Sequence, residues 1–209
     1  MTIIIINFKT YKKGKEVLKL VRIIEKINKN IIVGLIPLDI KEISKKTKLK
    51  VFSQYLSDDI KEIKGSASGV FLNHSDHPLT FNKLKKSISL CKKNKLKTAV
   101  FTTSLREARK IEKLKPTYLI YEPKELIGGK ISVSQAKPEI IRKFKDNLSM
   151  TFLVGAGIKT SKDIKTALDL GSSGIAISSV IMKSRNPEGK LKELIGSVTS
   201  SKAKYYYDI

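Results

Sequence analysis

The chain has 209 residues, 42 of them basic and 19 acidic, which gives a formal net charge of +23 at pH 7. No apolar run approaches the ~18–20 residues that a membrane-spanning helix needs, which excludes a helical membrane protein. Cys91 is the only cysteine, which excludes an internal disulfide and fits a reducing compartment.

The chain begins with an apolar run, Thr2–Phe8, that is too short for the apolar region of a signal peptide and has no basic flank. We therefore expect a soluble cytoplasmic protein whose first strand lies here. The predicted strands are Thr2–Asn7, Ile31–Ile36, Leu49–Gln54, Gly69–Asn73, Lys97–Thr102, Tyr118–Tyr121, Thr151–Val154 and Gly174–Ile177.

Amphipathic stretches follow these strands, with apolar residues at three- and four-residue spacings. The predicted helices span Gly14–Lys29, Ile40–Lys46, Asp58–Lys64, Thr80–Asn94, Ser104–Leu114, Pro138–Leu148, Ser161–Leu170 and Pro187–Val198, with Ser104 and Ser161 as N-caps. On the fourth helix Leu84, Ile88 and Cys91 share one face, so we expect Cys91 to lie in the core.

Eight strand-then-helix units predict parallel strands joined by crossover helices. The strands are continuous apolar runs, which is typical of strands buried on both faces. The predicted fold is an α/β protein with a closed (β/α)8 TIM barrel, and an open doubly wound sheet is the alternative. No linker divides the chain, so we predict a single barrel domain over 1–199 and a C-terminal tail over 200–209.

The strong positive charge raises the possibility of a nucleic-acid partner. The lysines, however, are scattered over almost every predicted helix, and only five of the basic residues are arginine. A genome that favours lysine and isoleucine codons explains this pattern, so we expect no nucleic-acid partner. A basic surface would still attract anionic metabolites.

Polar residues stand directly after several predicted strands, where the active sites of such barrels lie. Asn7 and Lys9 follow the first strand, His74 the fourth and Glu122 the sixth. Small residues follow the last two strands, where backbone N–H groups can approach a phosphate. These groups together suit proton abstraction next to a carbonyl on a small phosphate ester.

The segments that contain these residues resemble triosephosphate isomerase, and its archaeal branch most closely. The matching segments, which occur in the family's order, are Asn7–Tyr11, Leu72–Ser75, Tyr121–Gly128 with Val133–Glu139, Val154–Ile158 and Gly174–Lys183. The mechanism of a carboxylate base, a neutral histidine and a closing loop is already known for this family.

The resemblance implies a catalytic role for four residues. Glu122 would remove a proton from the substrate carbon, and neutral His74 would donate a hydrogen bond to the enediolate and move protons between its oxygens. Lys9 would stabilise negative charge, with Asn7 orienting it, and a helix starting at Ser75 would lower the pKa of His74.

The resemblance also implies a lid from Lys124 to about Ser134 that closes over a phosphorylated triose and excludes water. The other implied contact positions are Phe8, Ile127, Gly157, Ser178 and Ser179. We expect no metal and no cofactor, because two histidines and one cysteine offer no ligand spacing. His77 is expected to be solvated.

Three departures from the family pattern stand out. Asp76 replaces the usual Glu, and we expect it to reach Lys9 less well, with a modest loss of rate. The lid has Lys124 and Gly129-Lys130 where relatives have Pro and Thr-Gly, which predicts looser hinges. Only Tyr55-Leu56-Ser57 lies between Gln54 and the next predicted helix, where the family has a long loop that enters the neighbouring subunit. The usual dimer contact is therefore excluded, which predicts a monomer or a non-standard homo-oligomer.

Two other functions remain open at this point. One is a barrel that binds phosphate or nucleic acid with reduced or no isomerase activity, which the short third loop and Asp76 favour. The other is a different phosphate-binding barrel enzyme, such as an indole-glycerol-phosphate or ribulose-phosphate type. That enzyme would need acidic residues at other strand ends, and the sequence does not place them well.

Overall fold

Eight parallel strands close into a barrel in the computed structural model, which describes residues 2–57 and 60–200, the last four without their side chains. Each strand pairs with its neighbours in chain order, and β1 pairs with β8 to close the ring. This confirms the predicted TIM barrel, and the alternative of an open sheet is wrong. The strands are β1 (Ile3–Asn7), β2 (Ile32–Leu35), β3 (Lys50–Ser53), β4 (Gly69–Leu72), β5 (Lys97–Thr102), β6 (Tyr118–Tyr121), β7 (Phe152–Val154) and β8 (Gly174–Ile177).

Helices follow the strands and cover the outside of the barrel. They are α1 (Lys15–Ile27), α2 (Pro37–Ser44), α3 (Phe81–Lys93), α4 (Leu105–Glu112), α5 (Val133–Ala136), α6 (Pro138–Asn147), α7 (Ser161–Asp169), α8 (Ser179–Met182) and α9 (Pro187–Ser200). The short helices α5 and α8 were not predicted, because four residues are too few to show a helical period.

Three details of the helix prediction are wrong. The second helix starts at Pro37, which suits the first helical turn because proline has no N–H to leave unpaired. The predicted helix Asp58–Lys64 is a single 3₁₀ turn, Ile60–Glu62, in the described part of that segment. Thr160, rather than Ser161, caps α7, since its hydroxyl accepts a hydrogen bond from the Asp163 N–H.

The barrel interior is filled by side chains that all eight strands contribute. Three phenylalanine rings are in contact across it: Phe52 and Phe71 are 5.8 Å apart between centroids, and Phe71 and Phe101 are 5.6 Å apart and meet edge to face. The Phe101 ring then meets the His74 imidazole edge to face, at 4.6 Å. The packed core thus extends up to the carboxyl ends of the strands and supports His74 from below.

A second apolar layer lies between the strands and the helices. Leu84, Ile88 and Cys91 of α3 are all buried in it, which confirms that Cys91 is a core residue.

Among the described residues, no helix is long and apolar enough to cross a membrane. The tail from 201 onward, with its tyrosines, lies outside the described residues, and the single-domain boundary at 199 stays a prediction.

Candidate active site

Most of the predicted site residues line a cavity at the carboxyl ends of the strands. His74 does not line the cavity, but its Nε2 atom lies 3.5 Å from the carboxylate of Glu122, which does. The cavity has an empty volume of about 650 Å³, part of it open to solvent. It is lined by Asn7, Lys9, Tyr11, Phe101, Glu122, Ile127, Gly128, Gly129, Ala156, Gly157, Ile158, Lys159, Ala176, Ile177, Ser178 and Ser179. Residues from five widely separated segments meet here because all eight strands run in the same direction.

Phe8 is the one predicted contact residue whose side chain does not reach the cavity. Its ring is buried in the layer between strands and helices. Side chains alternate along an extended strand, so a cavity-facing Asn7 turns its neighbour outward. The alternation was visible in the sequence, and the role of Phe8 as a contact position stays a prediction.

Glu122 lies directly after β6, and its carboxylate is nearly enclosed, with 12% of the side chain exposed. Burial raises its pKa from 4.5 to about 7, against the opposing effect of the Lys9 ammonium. A carboxylate of this kind is a stronger base than an exposed one and can still be ionised near neutral pH. Gly155 makes room for it, since a Cβ there would lie 3.1 Å from the Glu122 Oε1 atom.

His74 faces Glu122, with 3.5 Å between its Nε2 atom and the Glu122 Oε2 atom. Burial, and secondarily the nearby Lys9 charge, lowers the pKa of His74 to about 4, so the imidazole is neutral at pH 7. The contact with Glu122 is therefore not an ion pair. No described residue forms a hydrogen bond to the buried Nε2 atom.

The hydrogen-bond pattern assigns the tautomer of His74. The Asp76 backbone N–H donates to the Nδ1 atom over 3.1 Å, so Nδ1 is the acceptor and Nε2 carries the proton. The expected helix at Ser75 is absent, since residues 75–77 form turns and α3 begins only at Phe81. The imidazole is neutral as expected, but burial and a single turn N–H take the place of a helix end.

Lys9 has a left-handed backbone, with φ 48°, which is costly for a residue with a side chain. Two side chains hold it there. The Asn7 Oδ1 atom accepts from the Lys9 N–H at 3.0 Å, and the Gln54 Nε2 atom donates to the Lys9 carbonyl at 2.8 Å. The Asp76 carboxylate comes within 3.5 Å of the Lys9 ammonium, so the shorter side chain still forms an ion pair. The modest loss of rate stays a prediction.

Asn73 and Glu107 form a clamp that the sequence did not reveal. Asn73 also has a left-handed backbone, with φ 58°, and its Nδ2 atom donates to Glu107 Oε1 and to the Phe101 carbonyl, each at 3.0 Å. Glu107 accepts further hydrogen bonds from Thr102 and Thr103 at the end of β5. The clamp ties the ends of β4 and β5 together and so fixes the residue before His74.

The loops after β7 and β8 form the opposite wall of the cavity. Gly157 has a φ of 67°, and a Cβ there would lie 2.2 Å from the Ile131 carbonyl oxygen. The Ser178 hydroxyl is buried and has no hydrogen-bond partner among the described residues. Glycine backbone and a free hydroxyl are groups that can approach and bind an anion.

The predicted lid crosses this wall. It begins with a 3₁₀ turn, Lys124–Leu126, and ends where Ser132 caps α5. The Val133 N–H donates to the Ala156 carbonyl at 3.2 Å, which joins the lid to the loop after β7. Ile127 lies on the cavity side, as expected.

His77, the other histidine of the chain, does not line this cavity. His77 is exposed, as expected, and packs on the Tyr55 ring at 4.3 Å between centroids. Over residues 2–57 and 60–200, no group of three His, Cys, Asp or Glu side chains is arranged to hold a metal ion.

Comparison with known proteins points to one family. The family model described as triosephosphate isomerase matches residues 2–197. The curated triosephosphate isomerase of Methanocaldococcus jannaschii is 32% identical, with 92% of this chain and 98% of that protein aligned. For the triosephosphate isomerase of Thermoplasma volcanium the identity is 34%, with 93% and 100% aligned.

Solved structures show the same fold in more distant proteins. A thiamine phosphate pyrophosphorylase from Pyrococcus furiosus superimposes with a TM-score of 0.71 at 19% identity, covering 95% of this chain and 96% of that one. A (S)-3-O-geranylgeranylglyceryl phosphate synthase from Thermoplasma acidophilum gives 0.69 at 17% identity, covering 95% and 94%. At such low identities the likeness concerns the barrel alone.

Proposed function

The chain belongs to the triosephosphate isomerase family, and we propose that Glu122 and His74 are the two groups that carry out its reaction. The protein is an intramolecular oxidoreductase that interconverts dihydroxyacetone phosphate and D-glyceraldehyde 3-phosphate, a step of glycolysis and gluconeogenesis. The observation that supports the assignment of the pair is the 3.5 Å approach of the Glu122 carboxylate to the protonated Nε2 atom of His74.

In the proposed mechanism Glu122 removes a proton from the carbon next to the substrate carbonyl. The electron pair of that C–H bond forms the C=C bond of an enediolate, and the carbonyl oxygen becomes negatively charged. Glu122 then returns the proton to the neighbouring carbon. A pKa of about 7 suits both steps, because the group must accept and release a proton at similar cost.

His74 stabilises the negative charge that develops on the substrate carbonyl oxygen. Its Nε2–H has no other acceptor among the described residues and donates to the oxygen on which charge develops. A neutral imidazole is closer in acidity to an enediol than an imidazolium is, so it can also exchange protons between the two oxygens. Lys9 adds a positive charge near the same oxygens, and Asn7 and Gln54 keep its backbone in place.

The phosphate group of the substrate would lie against the loops after β7 and β8. Gly157, Ser178 and Ser179 offer backbone N–H groups and the unpartnered Ser178 hydroxyl. Ile127 and the lid cover the other side of the substrate. Exclusion of water matters because an enediolate exposed to solvent can lose its phosphate instead of isomerising.

A coupled assay with D-glyceraldehyde 3-phosphate tests the reaction, and the same assay on Glu122→Asp tests the base. Shortening the side chain moves the carboxylate away from the substrate carbon, so kcat should fall by roughly 10²-fold or more. An unchanged kcat would show that Glu122 is not the base. No turnover in the wild type, together with nucleic-acid binding that weakens steeply with salt, would favour a binding protein instead.

The raised pKa of Glu122 predicts an acid limb in the pH profile. The base must be ionised in the free enzyme, so kcat/KM is expected to fall about tenfold per pH unit below its pKa of about 7. His74 contributes no limb there, because its pKa is about 4. The substrate phosphate titrates near pH ~6 and adds its own pH dependence to the kinetics. Carbon-13 NMR of the labelled free protein, which contains no substrate, should therefore measure the Glu122 titration separately. A Glu122 pKa near 4.5 would contradict the prediction.

A monomer or a non-standard homo-oligomer is the proposed assembly, because the segment after Gln54 is too short to enter a neighbouring subunit. Sedimentation across a wide range of concentrations should show a single chain, or an oligomer that tolerates mutation of Tyr55. A dimer that dissociates when Tyr55 is replaced by a charged residue would contradict this.

We also propose a cytoplasmic location, since charged triose phosphates do not enter an apolar bilayer freely.

A further inference from the structure

Asp163 is a buried carboxylate outside the cavity that the proposed reaction does not use. It lies in the first turn of α7, and only 3% of the residue is exposed. A buried carboxylate is costly unless several donors satisfy it. Burial alone would raise its pKa, but hydrogen bonds from Ser132, Lys159 and Thr160 outweigh that effect and hold the pKa below its usual value.

The two oxygens of Asp163 bind two different segments of the chain. Oδ1 accepts from the Ser132 hydroxyl at the end of the lid, at 2.7 Å, and from the Gln135 amide in α5, at 2.5 Å. Oδ2 accepts from the backbone N–H groups of Lys159 and Thr160 at 3.1 and 2.9 Å, just after the loop that contains Gly157. One carboxylate thus joins the lid to the loop after β7.

The surrounding contacts make this connection more extensive than a helix cap requires. Capping α7 needs only the pairing between Thr160 and Asp163, in which each side chain accepts a hydrogen bond from the backbone N–H of the other residue. In addition, the Ser134 hydroxyl donates to the Asp163 carbonyl at 3.0 Å, and the hydroxyl oxygens of Ser132 and Ser134 lie 3.0 Å apart. The hydroxyls of both lid serines are buried against α7.

Both segments also line the cavity. The lid contributes Ile127, Gly128 and Gly129, and the loop after β7 contributes residues 156–159. The two segments are in close contact, since a Cβ at Gly157 would lie 2.2 Å from the Ile131 carbonyl oxygen. A shift of either segment would therefore change the shape of the cavity wall that faces the substrate phosphate.

We propose that Asp163 is a positioning residue that sets the lid end against the loop after β7, so that both form one wall around the substrate phosphate. This inference rests on the proposed function for the identity of the substrate. The carboxylate touches neither the substrate nor the reacting atoms, and it acts through Ser132 and Gln135 on one side and Lys159 and Thr160 on the other.

The substitution Asp163→Asn tests the proposal, because an amide keeps the size of the side chain but offers only one acceptor oxygen to donors on both sides. KM for glyceraldehyde 3-phosphate should rise roughly tenfold. The share of turnovers that release inorganic phosphate should also rise, since a loosened wall admits water. Ser132→Ala leaves the cap of α7 intact but removes both the bond to Asp163 and the N-cap of α5. It should shift both quantities in the same direction but less.

Asp169→Asn is the matched control. Asp169 lies on the same helix, is exposed and pairs with Lys165, so KM and phosphate release should stay at wild-type values. A general loss of stability would lower the melting temperature without changing the product ratio of the folded enzyme. Wild-type KM and product ratio in both folded Asp163→Asn and Ser132→Ala would overturn the proposal.

Hydrogen–deuterium exchange separates this inference from the proposed function. If Asp163 anchors the lid, amides over residues 124–134 should exchange faster in Asp163→Asn and in Ser132→Ala than in Asp169→Asn. That result needs no turnover, so it would stand even if the wild type failed the isomerase assay. Unchanged exchange in both variants would overturn the anchoring role, whatever the wild-type activity.

Discussion

Replacement of Glu122 with Gln is expected to lower kcat by about 10³-fold, because an amide cannot accept the proton from the substrate carbon. Binding should survive, since the loops after β7 and β8 and the Lys9 ammonium are untouched. KM is therefore expected to change by less than about fivefold. Steady-state kinetics in the isomerase assay measures both quantities.

The same substitution is expected to stabilise the fold at pH 8. The folded pKa of Glu122, about 7, lies above its ordinary value of 4.5. The favourable contribution of this group is therefore fully present below pH 4.5 and is lost as the pH rises through 7. Removing the buried charge should raise the free energy of unfolding at pH 8 by about 1–3 kcal/mol, and by little at pH 4.

Urea unfolding at the two pH values measures this effect, and Glu188→Gln is the control. Glu188 is a fully exposed carboxylate whose pKa is lowered by its hydrogen bond to Lys192, so its replacement should give no gain at pH 8. If Glu122→Gln lost stability at pH 8 while keeping kcat, both the raised pKa and the role as base would be wrong. A functional site that costs stability in this way is common among enzymes.

Gly157→Ala is expected to have the largest effect of any single methyl addition in the site. The added Cβ would lie 2.2 Å from the Ile131 carbonyl oxygen, at a φ of 67° that a side chain disfavours. Both the lid and the loop after β7 would have to move apart. The expected result is a loss of about 3 kcal/mol or more in the free energy of unfolding and a KM raised more than about tenfold.

Gly65→Ala separates the backbone strain from the clash. Gly65 has a similar φ of 78°, but a Cβ there would meet no atom within 4 Å. This control should lose only the ~1–2 kcal/mol that left-handed backbone costs a residue with a side chain, and its KM should not change. Equal losses in the two variants would show that the lid and the loop after β7 are not in close contact in solution.

The order of elements and the location of the site were readable in the sequence because both depend on local pattern. Runs such as Gly174–Ile177 and Tyr118–Tyr121 are continuous apolar segments, and the structure has strands with the same bounds. The polar residues Asn7, His74 and Glu122 stand at strand ends, so parallel strands bring them to one face. The catalytic roles stay predictions that the substitutions above test.

Local pattern also contained information that the predictions did not use. The alternation of side chains along β1 turns Phe8 outward, and the pattern Thr-x-x-Asp at Thr160 and Asp163 is a capping-box variant that marks the start of α7. Both features follow from short-range geometry. The absent helix at Ser75 is different, because a turn and a helix start have similar sequences over three residues.

What the sequence alone determined is the succession of strands and helices, the closed parallel barrel they favour, and the residue types at the strand ends. Only the tertiary structure decided which hydrogen bonds fix the positions of those residues and how far their pKa values are shifted. Gln54 reaches Lys9 across 45 positions, and Asn73 reaches Glu107 across 34. Hydrogen bonds at that separation, and the burial that moves the pKa values of Glu122 and His74 in opposite directions, exist only once the barrel has closed, because both depend on distances that no local pattern contains.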